Sequence, residues 1–530
     1  LFDYEPDLMP DLLSDEWIDL TNFTTLILLN LDKNEKQLRD KIEFFDDESE
    51  ELSNLVEKKT QKIKQEYGTP TYVYSFERLT KNARNILSMP SAFGVTPRFA
   101  MKANSSVSVL KCLRHAGIRH IDASSVYEVR RALLAGFEID HISLSTQMLS
   151  DEYVDFFERG MRLNLCSLSQ LVRFGERFRG CQHVGLRFNP GLGSGEVDAT
   201  NVGGPASSFG IWYESVDKVR EILNRFNLRV VRIHTHIGSG TDVKIWNKAA
   251  NLSLRLCKSF PHVKTLNLGG GFKVARMSDE ISTDIQKVGE HIKRSFELFQ
   301  EETGGRELHL EIEPGNYLCT SAGALVCTIQ DVTSTSRYDF LKLDSGMTEI
   351  LRPMLYGSQH NIVLVRRKNV ESTYQIVRDA FEDDNSFSSS SSSNEYVVVG
   401  KCCESGDLLT CKKNTPARIR PRNLLNRARI GDLIIVEGCG SYCSSMCAKH
   451  YNSYPTAAEV MCFENGNSRL IRRRGVLQDV MSGEISLEDD AFYLNKISCD
   501  GRSSSRRKSI GLVFLLAAFV LVAAGRRTSS

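Results

Sequence analysis

The chain has 530 residues, of which 41% are hydrophobic and 25% charged. That balance suits a soluble globular protein of two or three domains and excludes a disordered chain, a collagen-like fibre or a polytopic membrane protein. Sixty-seven basic residues nearly cancel 66 acidic ones, so there is no general field to draw nucleic acid. Fourteen cysteines without a CxxC pair are too sparse for a disulfide scaffold, and reduced thiols in a cytosol-like or organellar compartment are expected. Cys439, Cys443, Cys447 and His450 come nearest to a metal spacing, but their surroundings have a better reading below, and no metal is expected.

Residues 1–65 form an acidic extension, with Asp3, Glu5, Asp7, Asp11, Asp15, Glu16 and Asp19 preceding the first base, Lys33. Neither an acid-poor transit peptide nor a secretory signal has this character. Leu1 rather than Met stands first, which leaves open what precedes it. From Asn34 to Tyr67 the charged pattern predicts a solvated helix. Residues 66–95 contain a strand candidate, Tyr72–Ser75, expected to join a later β domain.

Residues 96–337 alternate between short apolar runs and helix-like stretches. Eight runs read as buried strands: Arg98–Ala103, His120–Ser124, Ile142–Thr146, Leu163–Ser167, Val184–Asn189, Val230–Ile237, Thr265–Leu268 and Leu308–Ile312. Segments such as Ser106–Ala116 and Ser125–Ala135 supply helices between them. Eight such units predict an α/β fold, a (β/α)8 barrel, whose chemistry belongs at the C-terminal strand ends. Residues 338–480 change to β-type runs such as Glu395–Val399 and Leu433–Val436 and predict a C-terminal β domain. Its serine run, 386–393, reads as a surface insertion. The tail, 481–530, brackets the apolar stretch 510–525 with arginines. Sixteen helical residues span roughly 24 Å, short of a roughly 30 Å hydrocarbon core, so membrane contact there is an expectation short of a full span.

Four signals converge on the predicted rim. Lys102 ends the first barrel strand, where an apolar setting is expected to depress its pKa and suit it to Schiff-base chemistry. His236 opens His-Ile-Gly-Ser-Gly, and Gly269–Gly271 forms a side-chain-free turn able to approach phosphate. Glu313 ends the eighth strand. A reactive amine, a phosphate cradle, a flat ring partner and a carboxylate are what pyridoxal 5'-phosphate requires.

At this point the chain resembles the fold-type III pyridoxal-phosphate decarboxylases of the alanine racemase-like superfamily, most of all the diaminopimelate decarboxylases. The resemblance runs from about Gly68 to Leu477. Its motifs are Gly-Thr-Pro-Thr-Tyr-Val-Tyr (68–74), Lys-Ala-Asn (102–104), Arg-Phe-Asn-Pro-Gly (187–191), Phe-Gly-Ile-Trp-Tyr (209–213), His-Ile-Gly-Ser-Gly (236–240), Gly-Gly-Gly (269–271) and Glu-Pro-Gly (313–315). Arg-Pro-Met-Leu-Tyr-Gly (352–357), Cys-Glu-Ser-Gly-Asp (403–407), Tyr-Asn-Ser-Tyr-Pro (451–455), Ala-Glu-Val (458–460) and Leu-Ile-Arg-Arg-Arg (470–474) complete the set. The resemblance implies a sandwich-like β domain that includes the strand near Tyr72.

It also implies roles. Lys102 would carry the cofactor, His236 would stack on its ring, and Ser239, Gly271 and Gly315 would cradle it. Glu313 would face the ring nitrogen. Arg352 and Tyr356 would bind a substrate carboxylate, and Tyr442 would touch both phosphate and substrate. Cys403 would donate a proton and Glu404 read the distal ammonium, both across a homodimer interface. The implied reaction converts meso-diaminopimelate to L-lysine and CO2, the last step of lysine biosynthesis. The alternatives are another diamino-acid decarboxylase, acting on ornithine, arginine or lysine, and an inactive regulatory paralogue.

The chain also departs from the pattern. Asn316 stands where the family's Glu-Pro-Gly-Arg has arginine, near cofactor phosphate and substrate carboxylate. Tyr454 replaces an arginine, His450 an asparagine and Ser345 an alanine. Losing one charge-assisted contact costs about 1.5–3 kcal/mol. Asn316→Arg is therefore expected to tighten ligand binding, unless a base such as Lys273 compensates.

Overall fold

The computed structural model describes residues 50–193, 203–236, 238, 240–277, 279–365, 394–424 and 427–487. The acidic extension before residue 50, the serine run 386–393 and the apolar stretch 510–525 lie outside the described residues.

A helix over Glu50–Tyr67 leads into strand β1 (Thr71–Ser75). The charged pattern predicts a solvated helix, but Val56, Thr60 and Ile63 are buried. Their i, i+4, i+7 spacing is enough to lay one helix face on the sheet beside Val73, Ala324 and Val363. Three short side chains among so many charges leave little trace in composition.

Eight parallel strands then alternate with helices: β2 (Val95–Ala100), β3 (His120–Ala123), β4 (Ile142–Ser145), β5 (Arg162–Leu165), β6 (Val184–Asn189), β8 (Val230–Thr235), β9 (Thr265–Asn267) and β10 (His309–Ile312), with a two-residue strand β7 (Ile211–Trp212) after β6. Their order, β5-β4-β3-β2-β10-β9-β8-β6, closes through pairing of β5 with β6. All eight predicted runs form these strands, because strands covered by helices outside and packed inside must be apolar throughout. Ser125, Ser167, Asp242 and Asp284 cap the helices that follow them, each accepting a backbone N–H.

Along β10, side chains two apart share a face, so Glu311 and Glu313 both point into the barrel. Glu311 lies deeper, where its Oε1 accepts from Arg98 Nη2 at 2.7 Å and Arg162 Nη1 at 3.0 Å. Burial alone would raise this carboxyl, but Arg98, Arg232 and Arg162 hold it well below the usual range.

Beyond the barrel, β11 (Gly323–Ser334) pairs with β1 and, over its second half, with β12 (Asp339–Leu343). Strands β13 (Ile362–Val365), β14 (Asn394–Val399), β17 (Arg422–Leu424), β18 (Leu433–Val436), β19 (Ala458–Cys462) and β20 (Ser468–Arg472) complete a nine-stranded sheet, while β15 (Cys411–Lys412) and β16 (Thr415–Ile419) make a separate hairpin. β1 lies between β11 and β19, so the strand that precedes the barrel belongs to this sheet.

Candidate active site

Lys102 follows β2 on the C-terminal rim, where Met101 N–H donates to Asp122 O. Its Nζ lies 3.7 Å from Asp122 Oδ2, and its side chain is 37% exposed. The sequence leads one to expect a depressed pKa. The structure reverses that: burial does pull the ammonium down, but the charges of Asp122, Tyr442 and Glu313 outweigh it and hold Lys102 above the ordinary lysine value. The proton that must leave before the amine attacks a carbonyl has a carboxylate acceptor beside it in Asp122.

Glu313 is 2% exposed, and its Oε1 accepts from Asn267 Nδ2 at 2.8 Å. His234 Nε2 lies 3.2 Å from the same oxygen. Burial opposes ionisation here, yet the field of His234 and Lys102 keeps Glu313 well below the usual carboxylate range. The other oxygen, Oε2, is buried with no hydrogen-bond partner, as is Asp122 Oδ1. A buried acceptor without a donor is costly and marks a place made for a further group. Burial, reinforced by Arg187 and Lys102, pushes His236 well below the ordinary histidine value, so its ring is neutral.

The glycine run explains how the backbone closes in. A Cβ on Gly269, whose φ is +73°, would sit 2.7 Å from His236 Cγ, and one on Gly270 only 2.1 Å from Glu313 O. Gly240 N–H donates to Gly271 O at 3.1 Å, joining the two glycine loops. Ser239 lies outside the described residues.

The sheet domain reaches the rim through the loop after β18. Tyr442, at φ +54°, donates its N–H to Ala103 O at 2.8 Å, and Ser445 Oγ donates to Lys102 O and Ala103 O at 3.0 Å. A Cβ on Gly315 would fall 3.3 Å from Tyr442 Oη, so this glycine keeps the phenol close to the rim. Arg352 lies 5.6 Å from the Tyr356 ring and 5.8 Å from the Tyr442 ring. Burial and then the charge of Arg276 lower Arg352 to about 10. Asn316 Oδ1 accepts from Ser441 Oγ at 2.7 Å, Thr320 Oγ1 at 3.2 Å and Arg276 Nη2 at 3.4 Å.

Arg276 is what the sequence reading missed. Lys273, the base suggested there, pairs with Glu280 at 3.6 Å. Since Arg276 already stands at Asn316, Asn316→Arg would set two guanidiniums against each other, and the expected gain in affinity is withdrawn. Asp122, His234, Asn267 and Arg187 were also overlooked as site residues. The first three are lone polar residues near the ends of predicted strands, and that position was the available signal.

The structure thus gathers Lys102, His236, Glu313, Gly271, Gly315, Asn316, Arg352, Tyr356 and Tyr442 around the barrel mouth. Cys403 and Glu404 lie elsewhere, on an exposed turn after β14. Cys403 N–H donates to Asn452 Oδ1 at 3.2 Å, and Tyr451 Oη donates to Glu404 Oε2 at 2.9 Å. Glu404, Lys401, Tyr454 and Arg474 border a cavity of about 870 Å³ in the sheet domain.

Residues 75–320 match the family described as pyridoxal-dependent decarboxylase, pyridoxal binding domain. Over 429 residues the chain is 30% identical to the diaminopimelate decarboxylase of Escherichia coli K12, spanning 79% of this chain and 94% of that protein. The diaminopimelate decarboxylase of Streptomyces coelicolor is 29% identical over 434 residues, 79% of this chain and 90% of its own length. A crystal structure of a diaminopimelate decarboxylase superposes with a TM-score of 0.70 at 28% identity, covering 81% of this chain and 96% of that one.

Proposed function

The chain belongs to the diaminopimelate decarboxylase family, and we propose from that premise that its barrel mouth removes one carboxylate of meso-diaminopimelate, giving L-lysine and CO2. It is a carboxy-lyase of the pyridoxal-dependent class. The observation that carries the reading is Glu313: an ionised carboxylate with one satisfied oxygen and one buried orphan, facing the same space as Lys102 and a neutral histidine.

Those residues fit pyridoxal phosphate. The orphaned Glu313 Oε2 suits a ring N–H donor, and the glycine turns, bare of side chains, let backbone come close to a phosphate. Lys102 would hold the group, with His236, Ser239, Gly271, Gly315 and Tyr442 around it. Once bound, the cofactor supplies a sink for the electron pair left when CO2 departs. Glu313, ionised because its own pKa is held low, would favour a proton on the ring nitrogen. Asp122 takes or returns the Lys102 proton at Oδ2. Arg352 and Tyr356 hold a substrate carboxylate from the sheet-domain side.

Cys403 and Glu404 sit on an exposed turn, as they would if they complete the site of a second copy. This supports a homodimer with shared sites, Cys403 donating the proton that replaces CO2 and Glu404 receiving the distal ammonium. The test is CO2 release from meso-diaminopimelate, L-ornithine, L-arginine and L-lysine offered in parallel to pyridoxal-phosphate-loaded protein. Release from meso-diaminopimelate above the other three is expected; a preference for any of those three refutes the substrate.

A further inference from the structure

At Asn316 the structure places one cation, Arg276, and the sheet domain holds a second, Arg352, against Tyr442 at the same mouth. Arg276 comes from the loop after β9 and Arg352 from the sheet domain; burial first, and then the charge of Arg276, lower Arg352. Among the described residues neither guanidinium has a carboxylate within ion-pair distance. Arg352 Nε is buried without a hydrogen-bond partner. Arg276 spends its donors on neutral oxygens at long range: Gly438 O, Asn316 Oδ1 and Thr320 Oγ1, each at 3.4 Å. Two cations at one mouth without a carboxylate partner, one with an unmet buried donor, describe a site whose counter-charge arrives with a ligand. Arg276 is only half-buried, so an anion can reach it.

We propose that Arg276 is a substrate-binding residue that restores the positive charge missing at Asn316 and, with Arg352, holds the carboxylate of diaminopimelate that survives into lysine. The inference rests on the function proposed above. Asn316 then has a positive role. Its Oδ1, already fixed by Ser441 and Thr320, accepts from Arg276 and steers the guanidinium, where an arginine at 316 would drive it away. The chain has moved the charge from the strand end to a loop 40 residues earlier. The anion is assigned to the substrate rather than the cofactor phosphate because Arg276 donates to Gly438 O and meets Ser441 through Asn316 Oδ1, on the sheet-domain side of the mouth.

The experiment compares binding of L-lysine, which keeps that carboxylate, with binding of cadaverine, which has none. Calorimetry on pyridoxal-phosphate-loaded wild type, Arg276→Ala, Arg276→Lys and Arg276→Ala/Asn316→Arg is the readout, with cofactor titration on each. Arg276→Ala should weaken L-lysine binding about ten- to a hundredfold, the worth of one charge-assisted contact. Cadaverine and cofactor affinities should hold. Arg276→Lys should recover part of the loss and the double variant most of it, with KM for diaminopimelate following. Equal losses for lysine and cadaverine would reduce Arg276 to a structural role, and a loss confined to the cofactor would move the anion to its phosphate. Either result, or no change, overturns the assignment. Failure of wild type to turn over diaminopimelate would refute the function separately, while the lysine–cadaverine contrast still decides what Arg276 binds.

Discussion

At the barrel rim Asp122, His234 and Glu313 are at most 2% exposed and are held by neighbours on adjacent strands, whereas Cys403 and Glu404 ride an exposed turn of the sheet domain fastened by Asn452 and Tyr451. The two regions carry different parts of one task. Charges buried among fixed partners have protonation states that solvent cannot average away, so the reaction type is set there. Side chains on the exposed turn have ordinary surroundings and gain a role only when another surface meets them. Tyr442 and Arg276, on loops, and Arg352, at the start of a short helix, stand between these extremes at the mouth, where the substrate is read.

The contrast breaks most completely at Lys102. Lys102→Ala should abolish borohydride trapping of the cofactor and reduce decarboxylation to background; a trapped adduct on the variant would place the attachment elsewhere. The next largest effect tests the wired interior. Arg98→Ala leaves Glu311 short of its main partner inside the barrel and should cost about 3–5 kcal/mol in denaturant unfolding. The same pair sets the acid limit. Glu311 has a folded pKa below its unfolded value near 4, so its contribution is present above that value and lost as pH falls below it. Wild type should therefore lose stability on acidification more steeply than Glu311→Gln, and parallel curves would show the ion cluster to be inert.

A smaller change at the rim sharpens the comparison. Glu313→Gln keeps the shape but removes the charge beside the orphaned oxygen, and kcat should fall about 10²–10³-fold with the fold intact. The smallest signal belongs to the exposed turn. Cys403→Ala and Lys102→Ala subunits, each inactive alone, should regain partial activity when mixed, through dimers with one intact site. Hybrids that form but stay inactive would confine Cys403 to its own chain.

The barrel was legible because each strand is a short apolar run between capped helices, and a fold closed on itself demands that pattern eight times. Lys102, His236 and Glu313 could be read because each ends such a run, and glycine or proline follows closely on His236 and Glu313. Asp122 and Asn267 could not, since one polar residue in a strand says nothing of which way it faces until the barrel closes. The buried face of the helix over 50–67 is hard to read in sequence because only Val56, Thr60 and Ile63 mark it. Arg276 escaped for another reason: the gap at Asn316 announced that a charge was missing, but 40 residues separate the two positions. Lys273 and Arg276 are equally good bases in sequence, and it takes the structure to show that Arg276 reaches Asn316 while Lys273 pairs with Glu280.

The most direct test of the account follows the carbon itself. Pyridoxal-phosphate-loaded protein is given carboxyl-labelled meso-diaminopimelate, and labelled CO2 and L-lysine are measured together. The account predicts that the two appear in equal amounts and that neither forms with Lys102→Ala. Lysine without CO2, CO2 from the Lys102→Ala protein, or no turnover by protein that carries its cofactor would contradict it.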